Sequence, residues 1–169
     1  MGEAGAELFG KSARKLAPLD RKNAAAQLAD LVAAAKASDC NGLAALLESK
    51  NDAAAFLGAV LDLSPFIRDV LLVRPQILEA ICGTPVDTRI ENIIANIEAL
   101  GSKELSEAEL MTALRRAKTE AHVLIALGDL AGLFGGAATT ERVSALAIAS
   151  VNAAVNFLLR DAGTKGVLN

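Results

Sequence analysis

The sequence is poor in aromatic residues. Among its 169 residues there is no tryptophan, no tyrosine and only five phenylalanines. Proteins that bind single-stranded nucleic acid usually stack bases on aromatic side chains, and nucleic-acid binders in general need basic patches that displace counterions. The formal net charge is −3 and the isoelectric point is near 5.2. The composition therefore argues against a nucleic-acid partner.

Cysteine and histidine are also scarce. Cys40 and Cys82 stand apart in apolar segments, with no CxxC motif, and His122 is the single histidine. A zinc site takes about four such ligands. We therefore predict no metal site, and we expect the cysteines to be small buried thiols of a reducing compartment, which favours a cytoplasmic location. Walker, GxGxxG, HExxH and GxSxG motifs are missing, so the residues predict no catalytic and no cofactor-binding site.

Charged residues are missing from the segment 143–159, VSALAIASVNAAVNFLL. A membrane-spanning helix needs about 20 mostly apolar residues, and this segment is shorter and interrupted by serine and asparagine. The first residues, MGEAGAELFGKSARK, lack the apolar core of a secretory signal. We expect segment 143–159 to be a buried core helix, with no membrane partner.

What the sequence does contain is helical periodicity. Hydrophobic residues make up 53 % of the chain, many of them alanine, whereas strand-forming residues are scattered. Capping residues (Asp20, Asn51, Ser64 and the Ser106–Glu109 capping box) and breaks at Pro75 and Gly101 delimit the helices. The predicted helices cover 20–37, 42–49, 52–63, 65–74, 75–82, 87–100, 107–134 and 140–161.

These elements predict an all-α fold, a multi-helix bundle that ends in a long antiparallel helical hairpin. Helix should exceed about two thirds of the chain, and the helix over 107–134 should be the longest. The expected organisation is a loosely ordered segment over 1–19, a single helical domain over 20–162, and a C-terminal tail over 163–169.

The long helix has a polar face that is a candidate contact face. It comprises Arg115, Arg116, His122 and Asp129, although Arg116 points partly toward an apolar side. His122 and Asp129 are seven residues apart, roughly 10 Å along the axis, so they cannot hydrogen-bond. An ordinary solvated face is the favoured interpretation. Gly128 lies on a stripe of small residues, where we expect a neighbouring helix to approach closely.

Two segments resemble a known family. The stretch LDLSPFIRDVLLVRPQIL, residues 61–78, and the stretch LRRAKTEAHVLIALGDLAGLF, residues 114–134, are similar to elements in the N-terminal helical region of glutamine synthetase adenylyltransferase/deadenylylases. These are the bifunctional glutamate-ammonia-ligase adenylyltransferases. The resemblance covers about residues 55–160. The chain departs from the pattern in having few arginines after the first pair and a glycine at position 128.

The resemblance implies a nucleotidyltransferase that adds AMP to glutamine synthetase, or removes it, in nitrogen regulation. It implies glutamine synthetase and a PII signalling protein as partners, and Mg²⁺ and ATP as cofactors of the full-length protein. The family's Asp-x-Asp metal motif has no match here. We therefore expect a truncated, inactive helical portion that lacks the nucleotidyltransferase sheet and positions the rest of its own polypeptide. The alternatives are a freestanding protein-interaction module or a small-ligand regulatory bundle.

Overall fold

The computed structural model describes residues 16–49 and 51–166 of the chain. Within these residues it contains eight helices and no strand. Helix accounts for 81 % of the described residues, which confirms the all-α class predicted from the periodicity. The bounds of the helices are α1 Arg21–Ala37, α2 Asn41–Glu48, α3 Asp52–Leu63, α4 Pro65–Val73, α5 Gln76–Cys82, α6 Val86–Leu100, α7 Glu107–Ala131 and α8 Gly136–Thr164.

Local capping residues begin several of these helices, as the sequence predicts. Asp20 accepts hydrogen bonds from the backbone amides of Lys22 and Asn23 at the start of α1. The side chain of Asn51 accepts from the Ala54 amide at 2.9 Å and begins α3. Each cap satisfies amides that lack a partner in the first helical turn.

The capping box of α7 is confirmed. The Glu109 amide donates to Ser106 Oγ at 3.3 Å, and the Ser106 amide donates to Glu109 Oε2 at 2.8 Å. The Ser106 hydroxyl also donates to this carboxylate at 2.6 Å. These hydrogen bonds lower the pKa of Glu109, and the bond from the Ser106 hydroxyl has the largest effect.

The C-terminal end of α7 differs from the prediction. The helix ends at Ala131, because Gly132 takes a left-handed conformation with φ +78°. The Leu133 amide donates to the Gly128 carbonyl at 2.9 Å and the Gly132 amide to the Asp129 carbonyl at 3.0 Å, which is a Schellman motif. The predicted stop at Gly135–Gly136 was wrong, since Gly136 is the first residue of α8. With 29 residues against 25, α8 rather than α7 is the longest helix.

The chain divides into two compact units. Of the described residues, the first unit comprises 16–49, 51–89 and 126–135, and the second comprises 90–125 and 136–166. In the first unit α1 packs against α2, α3 and α4, while α5 packs against α2 and α4. Its fully buried side chains include Leu31, Leu43, Leu57, Leu61, Leu71, Ile77, Leu78 and Ile81.

In the second unit the buried residues follow one side of each helix. They include Ile90, Ile93, Ile97, Leu110, Ala121, Leu124, Leu146, Ala149, Ala153 and Phe157. The predicted domain bounds 1–19, 20–162 and 163–169 stay predictions, and residues 1–15 and 167–169 lie outside the described residues. Four residues, 132–135, connect α7 to α8. Their antiparallel pairing also stays a prediction.

Candidate functional site

The candidate contact face lies on α7. The side chains of Arg115, Arg116 and Asp129 are exposed, and His122 is half-buried. Arg115, Arg116 and His122 belong to the second compact unit, and Asp129 belongs to the first. The polar side chains are therefore accessible, but their use as a binding face stays a prediction.

His122 is the chain's single histidine and lies half-buried on α7. Burial lowers the pKa of its imidazole, and the positive charge of Lys118, one turn earlier on α7, lowers it further. A neutral imidazole can accept a proton, but within the described residues no hydrogen bond joins His122 to another side chain. Its surroundings therefore define a weak base on the surface of a helix.

The two cysteines are not activated. Cys40 is buried and Cys82 is half-buried, so the expected burial is confirmed fully only for Cys40. Burial and the negative charge of Glu79 raise the pKa of Cys40, and the same two causes raise the pKa of Cys82 to about 11. Because the thiolate is the reactive form, both thiols are poor nucleophiles at neutral pH.

Glu79 lies far from α2 in the sequence but caps the start of this helix. Its carboxylate accepts from the Gly42 amide at 3.2 Å and from the Leu43 amide at 2.6 Å, in the first turn of α2. The N-cap residue of α2, Cys40, makes no side-chain cap hydrogen bond. A β-carbon on Gly42 would lie 2.8 Å from Glu79 Oε1, so glycine leaves the space for this carboxylate. Local sequence patterns do not predict this contact, because it joins residues that are 36 and 37 positions apart.

Asp62 has a comparable structural role in the first unit. It accepts from the Asp20 amide at 2.9 Å and from Asn23 Nδ2 at 2.7 Å, and so joins the end of α3 to the start of α1. These two hydrogen bonds lower the pKa of Asp62, and the bond from the Asp20 amide has the larger effect. Within residues 16–49 and 51–166, no three His, Cys, Asp or Glu side chains gather closely enough to hold a metal ion.

The first unit contains an apolar groove of about 410 Å³ between α1 and α3. Ala24, Leu28, Ala54 and Ala55 are among its lining residues. The polar residues in its lining are Arg21, which is exposed, and Asn51, whose side chain caps α3 and donates hydrogen bonds to Leu46 and Ser49. One exposed cation and one engaged amide are few polar groups for orienting a small ligand.

Helix α8 has two apolar sides. One is buried and consists of Leu146, Ala149, Ala153 and Phe157. The other consists of Ile148, Val151, Val155 and Leu158, which are 46–60 % exposed; we call these four residues the outer stripe. The prediction that 143–159 is a buried core helix was therefore wrong. Apolar residues on all sides of a helix predict that the helix is buried. In the structure, only one side of α8 is covered.

The buried side of α8 is anchored within the second unit. Gly101 approaches so closely that a β-carbon there would lie 3.1 Å from Ala153 Cα. Near the C-terminal end, Arg160 donates to the Lys103 carbonyl at 2.6 Å. By length and composition α8 is the one helix in the described part of the chain that qualifies as a membrane span. A single helix of this kind is weak evidence for a membrane span.

The chain is all-α in its described part, and the carboxylates described above are engaged in capping and joining helices. Residues 54–168 match the family model of glutamate-ammonia ligase adenylyltransferase. The chain belongs to this family, as the two sequence elements indicated.

Curated relatives agree with the family match. The chain is 48 % identical over 167 residues to the bifunctional glutamine synthetase adenylyltransferase/adenylyl-removing enzyme of Brucella suis, covering 98 % of this chain and 17 % of the relative. The enzyme of the same name from Mesorhizobium japonicum is 48 % identical over 159 residues, 94 % of this chain and 16 % of the relative. That of Bartonella henselae is 37 % identical over 155 residues, 91 % of this chain and 16 % of the relative. The chain thus spans about one sixth of their length. No solved structure matches it.

Proposed function

We propose that the chain is a helical part of a nucleotidyltransferase that adds AMP to glutamine synthetase and removes it, and that this part positions the rest of the enzyme. The observation that carries the proposal is the identity of 48 % over 98 % of the chain to a relative of which it spans only 17 %. The names of the relatives supply both reactions and the substrate protein. The location that follows is cytoplasmic, with no membrane partner.

The chemistry belongs to other parts of the polypeptide in this proposal. Transfer of AMP from ATP takes a divalent metal ion such as Mg²⁺ held by clustered carboxylates. The described carboxylates do not cluster in this way; Glu109, Asp62 and Glu79 instead accept backbone amides. The relatives' printed names give glutamine synthetase as a partner of the complete enzyme, and the family resemblance implies a PII signalling protein as a second partner.

The test compares this chain with a full-length chimaera. The chimaera carries the 169 residues in place of the segment of the Brucella suis enzyme that they match. Each protein is incubated with adenylylated glutamine synthetase, phosphate, Mg²⁺ or Mn²⁺, and PII protein. We expect release of ADP or AMP by the chimaera and by the Brucella enzyme, which is the positive control, and none by the 169-residue chain. Metal-dependent turnover by the short chain contradicts the proposal.

A further inference from the structure

The outer stripe of α8 is a continuous apolar surface. Ile148, Val151, Val155 and Leu158 follow one another at intervals of three, four and three residues, which places them on one side of the helix. The same side continues through Ser144 at one end and Ala162 at the other, a length of about 27 Å at 1.5 Å per residue. Exposed apolar surfaces of this kind mark sites of interaction.

The stripe is free to receive a second partner because the opposite side of α8 is already packed. Ala153 and Phe157 are buried, and Gly101 and Lys103 hold α8 from the connection between α6 and α7. A helix inserted across a bilayer would have to give up these contacts. The structure therefore favours a protein surface over a membrane as the occupant of the outer stripe.

The chemistry of the occupant follows from the absence of charge. No charged residue occurs from Val143 to Leu159, so a charged partner would be desolvated without compensation. An uncharged apolar surface would bury the stripe at no such cost. In the relatives, about five sixths of the polypeptide lies outside the region that corresponds to this chain.

We infer that the outer stripe is the surface on which the remaining polypeptide of the enzyme packs, through an uncharged apolar helix face. This inference rests on the proposed function and deepens it by naming the surface that does the positioning. The family match extends to residue 168, beyond the end of α8 at Thr164, so the whole stripe lies within the part of the chain shared with the family.

A pair of cysteine variants tests the inference. Val155 and Val143 are the same residue type on the same helix, with nearly equal exposures of 46 % and 43 %, but they lie on different sides of α8. Val155→Cys and Val143→Cys are made separately in the short chain and in the chimaera. The rate of reaction with a maleimide is measured for each. The unsubstituted proteins give the background from Cys40, which is buried, and from Cys82.

We expect the thiol at position 155 to react about tenfold more slowly in the chimaera than in the short chain, because a covered side chain reacts only when the interface opens. The thiol at position 143 should react at the same rate in both proteins. If the chimaera is not monodisperse, the rest of the Brucella enzyme is added as a separate polypeptide, and the same ratio of rates at position 155 is measured.

Three outcomes overturn the inference. Equal rates at position 155 in both proteins show that the stripe stays open. Protection in the short chain that grows with its concentration shows that the stripe joins two copies of the chain. Protection of the short chain by vesicles of phosphatidylethanolamine and phosphatidylglycerol shows that lipid covers it.

The labelling ratio is independent of activity. A chimaera that releases ADP while position 155 reacts as fast as in the short chain contradicts the inference and leaves the proposed function intact. Protection of position 155 without any release of ADP or AMP supports the interface and contradicts the proposed activity.

Discussion

Gly128 faces an aromatic ring from its own connecting segment. A β-carbon at this position would lie 2.2 Å from Cε2 of Phe134, whose side chain is only 7 % exposed. The sequence predicted a neighbouring helix against Gly128, whereas the nearest atoms belong to Phe134, which follows the Schellman turn. Position 128 does require a small residue, as predicted. The group that limits its size is the ring of Phe134 and not a neighbouring helix.

Gly128→Ala should therefore destabilise the protein, and Gly128→Leu should do so more strongly. Alanine gains up to about 1 kcal/mol of helix propensity, but overpacking a buried site costs about 1–3 kcal/mol. The free energy of unfolding is measured by urea denaturation. Gly163→Ala is the matched control, because beyond the adjoining backbone of its own helix no atom lies within 4 Å of the added carbon, so alanine should be tolerated there. A Gly128→Ala variant at least as stable as the parent chain contradicts the packing described.

His122 links stability to pH. Its pKa is lowered in the folded chain, so the unfolded chain binds more protons as the pH falls below the usual value of 6.5. The folded state consequently loses stability as the pH decreases through this range, until the folded imidazole is protonated as well. At higher pH the contribution disappears.

His122→Asn should change the free energy of unfolding by less than about 0.5 kcal/mol at pH 7.5. At pH 5.5 the variant should gain stability relative to the parent chain. Urea midpoints of both proteins across this range test the sign. A steeper loss of stability in the variant on acidification would show that the charged imidazole is the favoured form.

At the scale of elements, α2 depends on another helix for its first turn. Glu79→Gln keeps an acceptor oxygen but removes the charge that faces the Gly42 and Leu43 amides at the positive end of α2. We expect a loss of about 1–2 kcal/mol, in the range of helix caps and charged hydrogen bonds. The measurement is the free energy of unfolding.

Glu98→Gln provides the comparison for this variant. Glu98 is exposed on α6, and no cap hydrogen bond to it is described. It should leave stability unchanged within about 0.5 kcal/mol. Equal effects of the two substitutions would show that the carboxylate of Glu79 contributes only as part of the net charge.

The elements that sequence reasoning placed correctly are those with local signals. The beginnings of α1, α3, α4 and α7 depend on Asp20, Asn51, Ser64 and Ser106, each of which caps amides two or three residues later. The end of α7 was misplaced because three glycines lie close together and only Gly132 adopts a positive φ. Glu79 was missed because its partners are distant in sequence. The exposure of α8 was missed because an apolar residue has the same identity whether or not the fold covers it.

At the scale of the whole molecule, the elements that resemble the family prove to be packing elements. In the segment 61–78, Ser64 begins α4, Arg74–Pro75 separates α4 from α5, and Leu71 and Leu78 are fully buried. The segment 114–134 contains most of α7 and the turn that ends it. The resemblance identified the family through residues that maintain the fold. Residues that act on a substrate had to be sought by geometry, and the contact face on α7 stays a prediction.

The cap that Glu79 places on α2 also bears on the order in which the chain folds. An eight-residue helix is too short to be stable alone, and its first turn stays incomplete until a residue 36 positions later arrives. Closing that loop costs conformational entropy, so α2 should form late, together with α5. Amide hydrogen exchange would reveal this coupling. The amides of Gly42 and Leu43 should open in the same cooperative event as those of α5, ahead of global unfolding.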